Sequence, residues 1–350
     1  MYKLDFGIKA AILTALNKPL EVKIINPEPL KKGQVLVRIL YSGVCRSQLM
    51  EVTGKRGEDK WLPHLLGHEG SGIVEEIGPG VTKFKSGDDV ILTWIKSSGL
   101  EAPYAKYNHD GTIVNSGAVT TFSNYSIVSE NRLVKKPRNI PYDMAILLGC
   151  AIPTGGGMVH HQPEILKDSV VAVVGLGGIG LSAILMLLAK KVKNIIAIDT
   201  SISKLEQVKN WGVSKTFNAN DANLNKQIDE LTNGGVDFCI ESAGKTSSIE
   251  LGFSLIKKGG GSLLFASHPP ENEKISLSPH DLISGKRISG SWGGGTNPDE
   301  DFPVFSKIVM SNKDLFHALI TKKYSLDEIN IALDDLSNGN VFRPLIQMEH

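Results

Sequence analysis

The run Ser169-Val170-Val171-Ala172-Val173-Val174 is continuously apolar, and Gly175-Leu176-Gly177-Gly178-Ile179-Gly180 follows it without a gap. A helical stretch, Leu181 to Ala189, and a second apolar run, Asn194 to Asp199, come next. Strands without polar alternation are those buried on both faces of a parallel sheet. The order strand, glycine turn, helix, strand therefore fixes a βαβ unit of a doubly wound sheet. Glycines alone would say little, but G-x-G-x-x-G between a strand and a helix is the context that marks a dinucleotide site. Gly175 permits the tight turn, Gly177 lets backbone approach a pyrophosphate, and Gly180 lets helix and strand pack closely. Gly178 and Ile179 open the helix whose free amides face the phosphates. Asp199 ends the second strand about 20 residues on, where an acid binds the adenosine ribose. A carboxylate there accepts from both ribose hydroxyls and repels a 2′-phosphate, so NAD is expected over NADP. Lys204 is a further ribose contact or a solvated helix lysine. The competing reading is a plain tight turn with Asp199 as a strand-end cap.

The chain has 350 residues, which suggests two domains, since single cores stop growing near ~250–300 residues. Before residue 150 the texture is that of short strands and turns. Val35 to Tyr41 is β-rich, Gly72 to Ile77 alternates, Gly78-Pro79-Gly80 supplies turn chemistry, and Val90-Ile91-Leu92 is another apolar run. Strands without helical spacers argue for a mostly β, barrel-like domain. Asp237 to Glu241 and Gly261 to Ala266 continue the strand and helix alternation of the later region. The polar Gly/Ser/Asn-rich segment Lys96 to Thr120 is expected to be a loop. Lys plus Arg total 38 against 37 Asp plus Glu, so no overall field recruits nucleic acid or an anionic membrane. No run reaches the ~18 apolar residues of a membrane span, and the charged start does not read as a secretory signal. Three cysteines, Cys45, Cys150 and Cys239, make no disulfide framework, and a cytoplasmic protein is expected.

Cys45 lies in Gly43-Val44-Cys45-Arg46-Ser47, His68 in Gly67-His68-Glu69-Gly70, and Cys150 in Leu148-Gly149-Cys150. Two thiolates and an imidazole suit Zn2+ with an open fourth position. Their distance in sequence leaves the alternative that each is an ordinary buried residue. These segments resemble the zinc-containing medium-chain alcohol dehydrogenases, particularly the liver-type and glutathione-linked branch. Gly87-Asp88, Thr121-Phe122-Ser123, Gly234-Gly235-Val236-Asp237-Phe238 and Val341-Phe342-Arg343 carry the same resemblance, which runs from about Lys9 to Pro344.

The resemblance implies an α/β chain: a mostly β GroES-like catalytic domain over 1–151 and 293–350, and a Rossmann NAD-binding domain over 152–292. It implies Cys45, His68 and Cys150 as ligands of one catalytic zinc, with Glu69 behind the metal. Arg46, Thr154 and Arg343 are implied cofactor contacts, the arginines on the pyrophosphate. Ser47 matches the hydroxyl relay that passes the alcohol proton, or it merely caps a helix. Trp94 matches an aromatic of the inner substrate pocket. Trp292 and His268 are expected nearby, with core packing as the alternative for the tryptophans. Ser116 and Gly117 are placed at the outer pocket. Cys239 matches no ligand position and is assigned to the core.

Three departures stand out. Gln48 occupies a position where the branch often has an aspartate orienting the ligating histidine. Met50 stands where the terminal relay histidine would be, so proton release is expected to use water directly or another base, His268 being one candidate. No cysteine lies between Cys45 and Cys150, so the family's structural zinc is not expected. The reaction implied is hydride transfer between a primary or secondary alcohol and NAD, giving an aldehyde or ketone. Alternatives are a zinc-free quinone or enone reductase, a polyol or sugar dehydrogenase of the same family, and a silent NAD-binding protein. A homodimer or homotetramer is expected, with Gly259 to Phe265 as an edge strand pairing across a two-fold.

Overall fold

A computed structural model describes residues 7–162, 164–266, 269 and 272–350. The chain divides into two compact units, one of Met1–Cys150 with Asn297–His350, the other of Ala151–Thr296. Among the described residues, no single helix is long and apolar enough to cross a membrane.

The first unit is mostly β. Strands Ile8–Leu13, Glu21–Pro27, Lys106–His109, Thr112–Asn115 and His64–Leu65 close a small barrel. Beside it lies a sheet in the order Leu133–Lys135, Asp89–Thr93, Glu69–Ile77, Gln34–Gly43, Arg343–Gln347 and Ile320–Tyr324, with Tyr125–Ser129 also on Gln34–Gly43. The central strand Gln34–Gly43 serves two cores. Val35, Val37 and Ile39 pack into the larger one, and Leu36 packs with Ile8, Ile12, Tyr107 and Val114 in the barrel. Polar alternation is absent there because both faces are buried.

The segment Lys96 to Thr120 is not simply a loop. Lys106–His109 and Thr112–Asn115 form a hairpin around Asp110 and Gly111, both at positive φ (48° and 85°). Asp-Gly favours that two-residue turn. Tyr107 and Val114 face each other across the hairpin and are each 1% exposed. Their burial makes this polar stretch a wall of the barrel.

The second unit is a six-stranded parallel sheet in the order Lys215–Asn218, Asn194–Asp199, Val170–Val174, Phe238–Glu241, Ser262–Phe265 and Arg287–Gly290. Helices Gly178–Ala189, Ile202–Asn210, Leu224–Thr232 and Thr246–Leu255 alternate with the strands. The strand order reverses beside Val170–Val174, which puts a ligand crevice at the carboxyl ends of the strands. Cys239 is fully buried in the core, as assigned. The expected edge strand is corrected: Ser262–Phe265 is internal, paired on both sides, and the sheet ends at Arg287–Gly290.

Candidate active site

Three chain reversals of the first unit bring the predicted ligands together. Strands Gln34–Gly43 and Glu69–Ile77 pair antiparallel, with Ser42 opposite Gly70. Cys45 leaves the end of the first strand and His68 enters the start of the second, so they flank one end of the ladder. Glu69 pairs with Thr93 on the next strand, and Thr93 Oγ1 donates to Gly149 O at 2.8 Å. That bond fixes the turn that presents Cys150. One ligand atom from each of Cys45, His68 and Cys150 lies within 4.8 Å of the others.

Glu69 is the hub of the cluster. It is fully buried, and Arg343 Nη2, 3% exposed in side chain, donates to its Oε1. A Cβ on Gly43 would stand 2.7 Å from the Glu69 carboxyl carbon, and one on Gly149 would stand 2.7 Å from Glu69 Cβ. The glycines near Cys45 and Cys150 are therefore demanded by the glutamate. The resemblance placed Arg343 on the cofactor pyrophosphate; in the structure its guanidinium is buried with Nη2 donating to Glu69. A strand-end arginine at a buried carboxylate offsets a desolvation cost that neither charge could bear alone.

The protonation pattern suits a cation. The hydrogen bond with Cys150 is the main cause that holds the Cys45 thiol well below its ordinary value; burial opposes it, and Arg343 and His68 reinforce it. The same bond, then burial, drives Cys150 well above the thiol range. Two adjacent buried thiols do not both ionise unaided. A divalent ion reverses that, because the thiolate is the ligating form. Burial pushes Glu69 up despite Arg343. Burial pulls His68 down, but Cys45 outweighs it and the net shift is upward. Glu69 Oε2 is buried with no hydrogen-bond partner. The two soft sulfurs, the imidazole and this unspent carboxylate oxygen fit zinc.

Ser47 Oγ lies 3.3 Å from His68 Nδ1, and Gln48 Nε2 faces the same nitrogen. Sequence reasoning gave Ser47 to the substrate and did not find its approach to the ligand ring. Arg46 opens the helix Arg46–Val52 and is exposed. Trp94, half-buried, follows Asp89–Thr93, and Arg132 Nη1 donates to its carbonyl. Ser116 Oγ donates to Ala105 O at 2.8 Å, which ties it to the barrel.

In the second unit, Gly175 takes φ +89° and a Cβ on Gly180 would stand 1.9 Å from Gly175 O. The third glycine thus lets the helix start against the strand end. Asp199 Oδ2 accepts from Leu176 N at 2.6 Å, and its Oδ1 accepts from Ser201 N at 2.8 Å. It caps the strand end and ties the glycine loop at once. A carboxylate has about four acceptor sites, so lone pairs remain for a ribose. Lys204 follows in the first turn of Ile202–Asn210. Thr154, 4% exposed, lies in the π-helical turn Ile152–Gly156, whose Gly155 packs against Ile179 O at the loop. Trp292 is 70% exposed, which rules out core packing for it. His268 lies outside the described residues.

An alcohol dehydrogenase GroES-like domain model matches residues 31–138, and a zinc-binding dehydrogenase model matches residues 178–310. The chain is 30% identical over 366 aligned positions to an S-(hydroxymethyl)glutathione dehydrogenase of Escherichia coli (strain SMS-3-5 / SECEC), covering 97% of this chain and 99% of that protein. The chain is a zinc-type medium-chain alcohol dehydrogenase. Among solved structures, this alcohol dehydrogenase matches benzyl alcohol dehydrogenase from Acinetobacter calcoaceticus with a TM-score of 0.87 at 28% identity, covering 98% and 99% of the two chains. An alcohol dehydrogenase zinc-binding domain protein from Burkholderia ambifaria superposes with a TM-score of 0.89 at 25% identity and the same coverage. The GroES-like and Rossmann-like folds, and zinc-dependent alcohol oxidoreduction with NAD(H) as the family's cofactor, follow from this membership.

Proposed function

We propose that this dehydrogenase oxidises a primary or secondary alcohol with NAD, or reduces the matching aldehyde or ketone, using one zinc per chain on Cys45, His68 and Cys150. The convergence of those three ligand atoms within 4.8 Å carries the reading. When bound, zinc supplies a Lewis acid that polarises the substrate oxygen and eases loss of its proton. The chain's own residues do the rest. Cys45 and Cys150 hold the site as thiolates, and Glu69 with Arg343 sets the field behind them. Ser47 Oγ would take up the hydroxyl proton of the alcohol while giving its own proton onward, and bound NAD would supply the hydride acceptor. Met50 offers no base beyond Ser47, so that proton continues to water. Trp94 follows the strand that carries Thr93 and shapes the reacting end of the substrate. Asp199 favours NAD over NADP by repelling a 2′-phosphate.

The three free cysteines suit a reducing compartment, and the cytoplasm is the proposed location. A second copy is proposed along the sheet edge at Arg287–Gly290, where an unpaired ladder invites a strand partner. Ile283, 81% exposed, and Trp292, 70% exposed, adjoin that strand in sequence. Zinc analysis combined with NADH formation across an alcohol panel tests the proposal. About one zinc per chain, lost together with turnover in Cys150→Ser, is expected. A folded Cys150→Ser variant that keeps both zinc and turnover refutes it.

A further inference from the structure

The strand Phe238–Glu241 runs beside Val170–Val174, with Glu241 opposite Val174, the residue before the glycine turn. Glu241 is fully buried. One of its carboxyl oxygens, Oε1, accepts from Ala243 N at 2.7 Å, Gly244 N at 3.0 Å and Ser248 Oγ at 2.7 Å. That oxygen closes the loop Ser242-Ala243-Gly244 into a tight arch and ties it to the helix Thr246–Leu255. Two backbone N–H groups that have left the ladder find their acceptor there, which is why a polar side chain is buried at the strand's end.

The glycine turn rests on that arch. Ser242 N donates to Val174 O at 2.8 Å, and Ser242 Oγ donates to Gly175 O at 2.7 Å. A Cβ on Gly175 would stand 2.6 Å from Ala243 N, and one on Gly180 would stand 2.6 Å from Ser242 Oγ. Two of the three fingerprint glycines therefore face this loop, closer than a side chain could tolerate. On the other side, a Cβ on Gly155 would stand 1.9 Å from Ile179 O. The turn is held between two backbone segments, and the one at Ser242 keeps its shape through Glu241. Amides that meet a pyrophosphate must be placed to within about half an ångström.

We infer that Glu241 is a positioning residue for the dinucleotide. Buried out of the cofactor's reach, it shapes the Ser242–Gly244 loop, and that loop sets where the Gly175–Gly180 turn presents its amides. This rests on the NAD reading proposed above.

The test is NAD affinity by isothermal titration calorimetry, with thermal melts, on the full chain. The proteins are wild type, Glu241→Gln, Glu241→Met, Ser242→Ala and the Glu241→Met/Ser242→Ala double variant. Glu241→Met leaves three donors without their acceptor, and the Kd for NAD rises about tenfold or more. Glu241→Gln keeps an oxygen at the same reach and stays within about threefold of wild type. Ser242→Ala weakens NAD about fivefold in the wild-type background and adds little beside Glu241→Met, because both act on one turn. A side chain that only supports the fold lowers Tm in Glu241→Met and leaves NAD affinity unchanged, and that result overturns the inference. Full additivity of the two losses, or a loss in Glu241→Gln as large as in Glu241→Met, overturns it as well. Where Glu241→Met does not fold, an unchanged Kd in Ser242→Ala does the same. Wild type that binds no NAD overturns the parent reading, and the titration of that one protein tells the two failures apart.

Discussion

Glu130 is the residue whose removal best tests how this dehydrogenase holds the segment between Thr82 and Leu100. Its Oε1 accepts from Thr82 N at 2.7 Å and Lys83 N at 2.6 Å, and its Oε2 accepts from Leu100 N at 2.8 Å. Gly99 packs directly on the same carboxylate. Lys83 Nζ reaches Asp299 at 2.7 Å, and Asp299 Oδ2 accepts from Ser98 N. A single carboxylate, 1% exposed, thus joins three stretches of chain. Hydrogen bonds to a charged group contribute about 1.5–3 kcal/mol each, and they do not add fully. Glu130→Gln keeps the shape but turns an NH2 toward at least one N–H, for an expected loss of about 3 kcal/mol. At about 2–4 °C per kcal/mol, Tm falls by about 6–12 °C. The pH dependence adds a second check. Burial alone pushes the Glu130 carboxyl up, but the N–H groups of Lys83, Leu100 and Thr82 outweigh it, and the net shift is downward. A carboxyl whose folded pKa lies below its unfolded value stabilises above the unfolded value and loses that contribution as pH falls through the folded one. The Tm gap between wild type and Glu130→Gln should therefore be full at pH 7 and shrink in acid. Thermal melts by circular dichroism measure it. A gap below about 2 °C at pH 7, or one that does not narrow in acid, refutes the reasoning.

Three further outcomes are expected. Asp199→Ser should raise NADP turnover relative to NAD in paired kcat/KM measurements, because a carboxylate no longer meets the 2′-phosphate; an unchanged ratio removes Asp199 from the ribose. Arg343→Met should cost about 3–5 kcal/mol in urea melts by leaving Glu69 buried and unpaired. Adding Glu69→Met should recover much of that loss, and additive losses would break the pairing argument. Ile283→Asp should lower the assembled fraction in light scattering if the Arg287–Gly290 edge meets a second copy; an unchanged mass removes that surface.

The parts of this dehydrogenase that were legible in sequence are those set by local periodicity. Val170–Val174, the glycine turn and Asn194–Asp199 declare a parallel sheet because buried strands leave a continuous apolar run, and a helix against a strand end excludes a side chain at Gly180. The ligand set came only through the family resemblance of the glycine-containing runs around Cys45, His68 and Cys150, since residues so far apart in sequence left the ordinary buried reading open. The hairpin Lys106–Asn115 was misread as loop because only one face of each strand is apolar, and with four residues per strand that face reduces to Tyr107 and Val114. Asp110-Gly111 was the signal present and unused. Which strand ends the sheet was also unreadable, since an edge differs from its neighbour only in what stands beside it.

The charged groups around the ligands were the least readable, and sequence separation explains it. Arg343 and Glu69 are 274 residues apart, yet each is intelligible only through the other. Read singly, neither residue announces the other: the resemblance gave Arg343 to the cofactor and Glu69 to the back of the metal site, and only the fold pairs them. An arginine with 3% of its side chain exposed is anchored by the one carboxylate it neutralises. It reaches the chemistry through charge, by lowering the cost of ionised sulfur at Cys45, for which its Coulomb effect ranks after the Cys150 hydrogen bond and burial. The same pair explains the glycines at 43 and 149, since a buried carboxylate between two ligand-bearing turns leaves no room for side chains on either. One buried carboxylate therefore accounts for a glycine in each of two short motifs that share no local pattern.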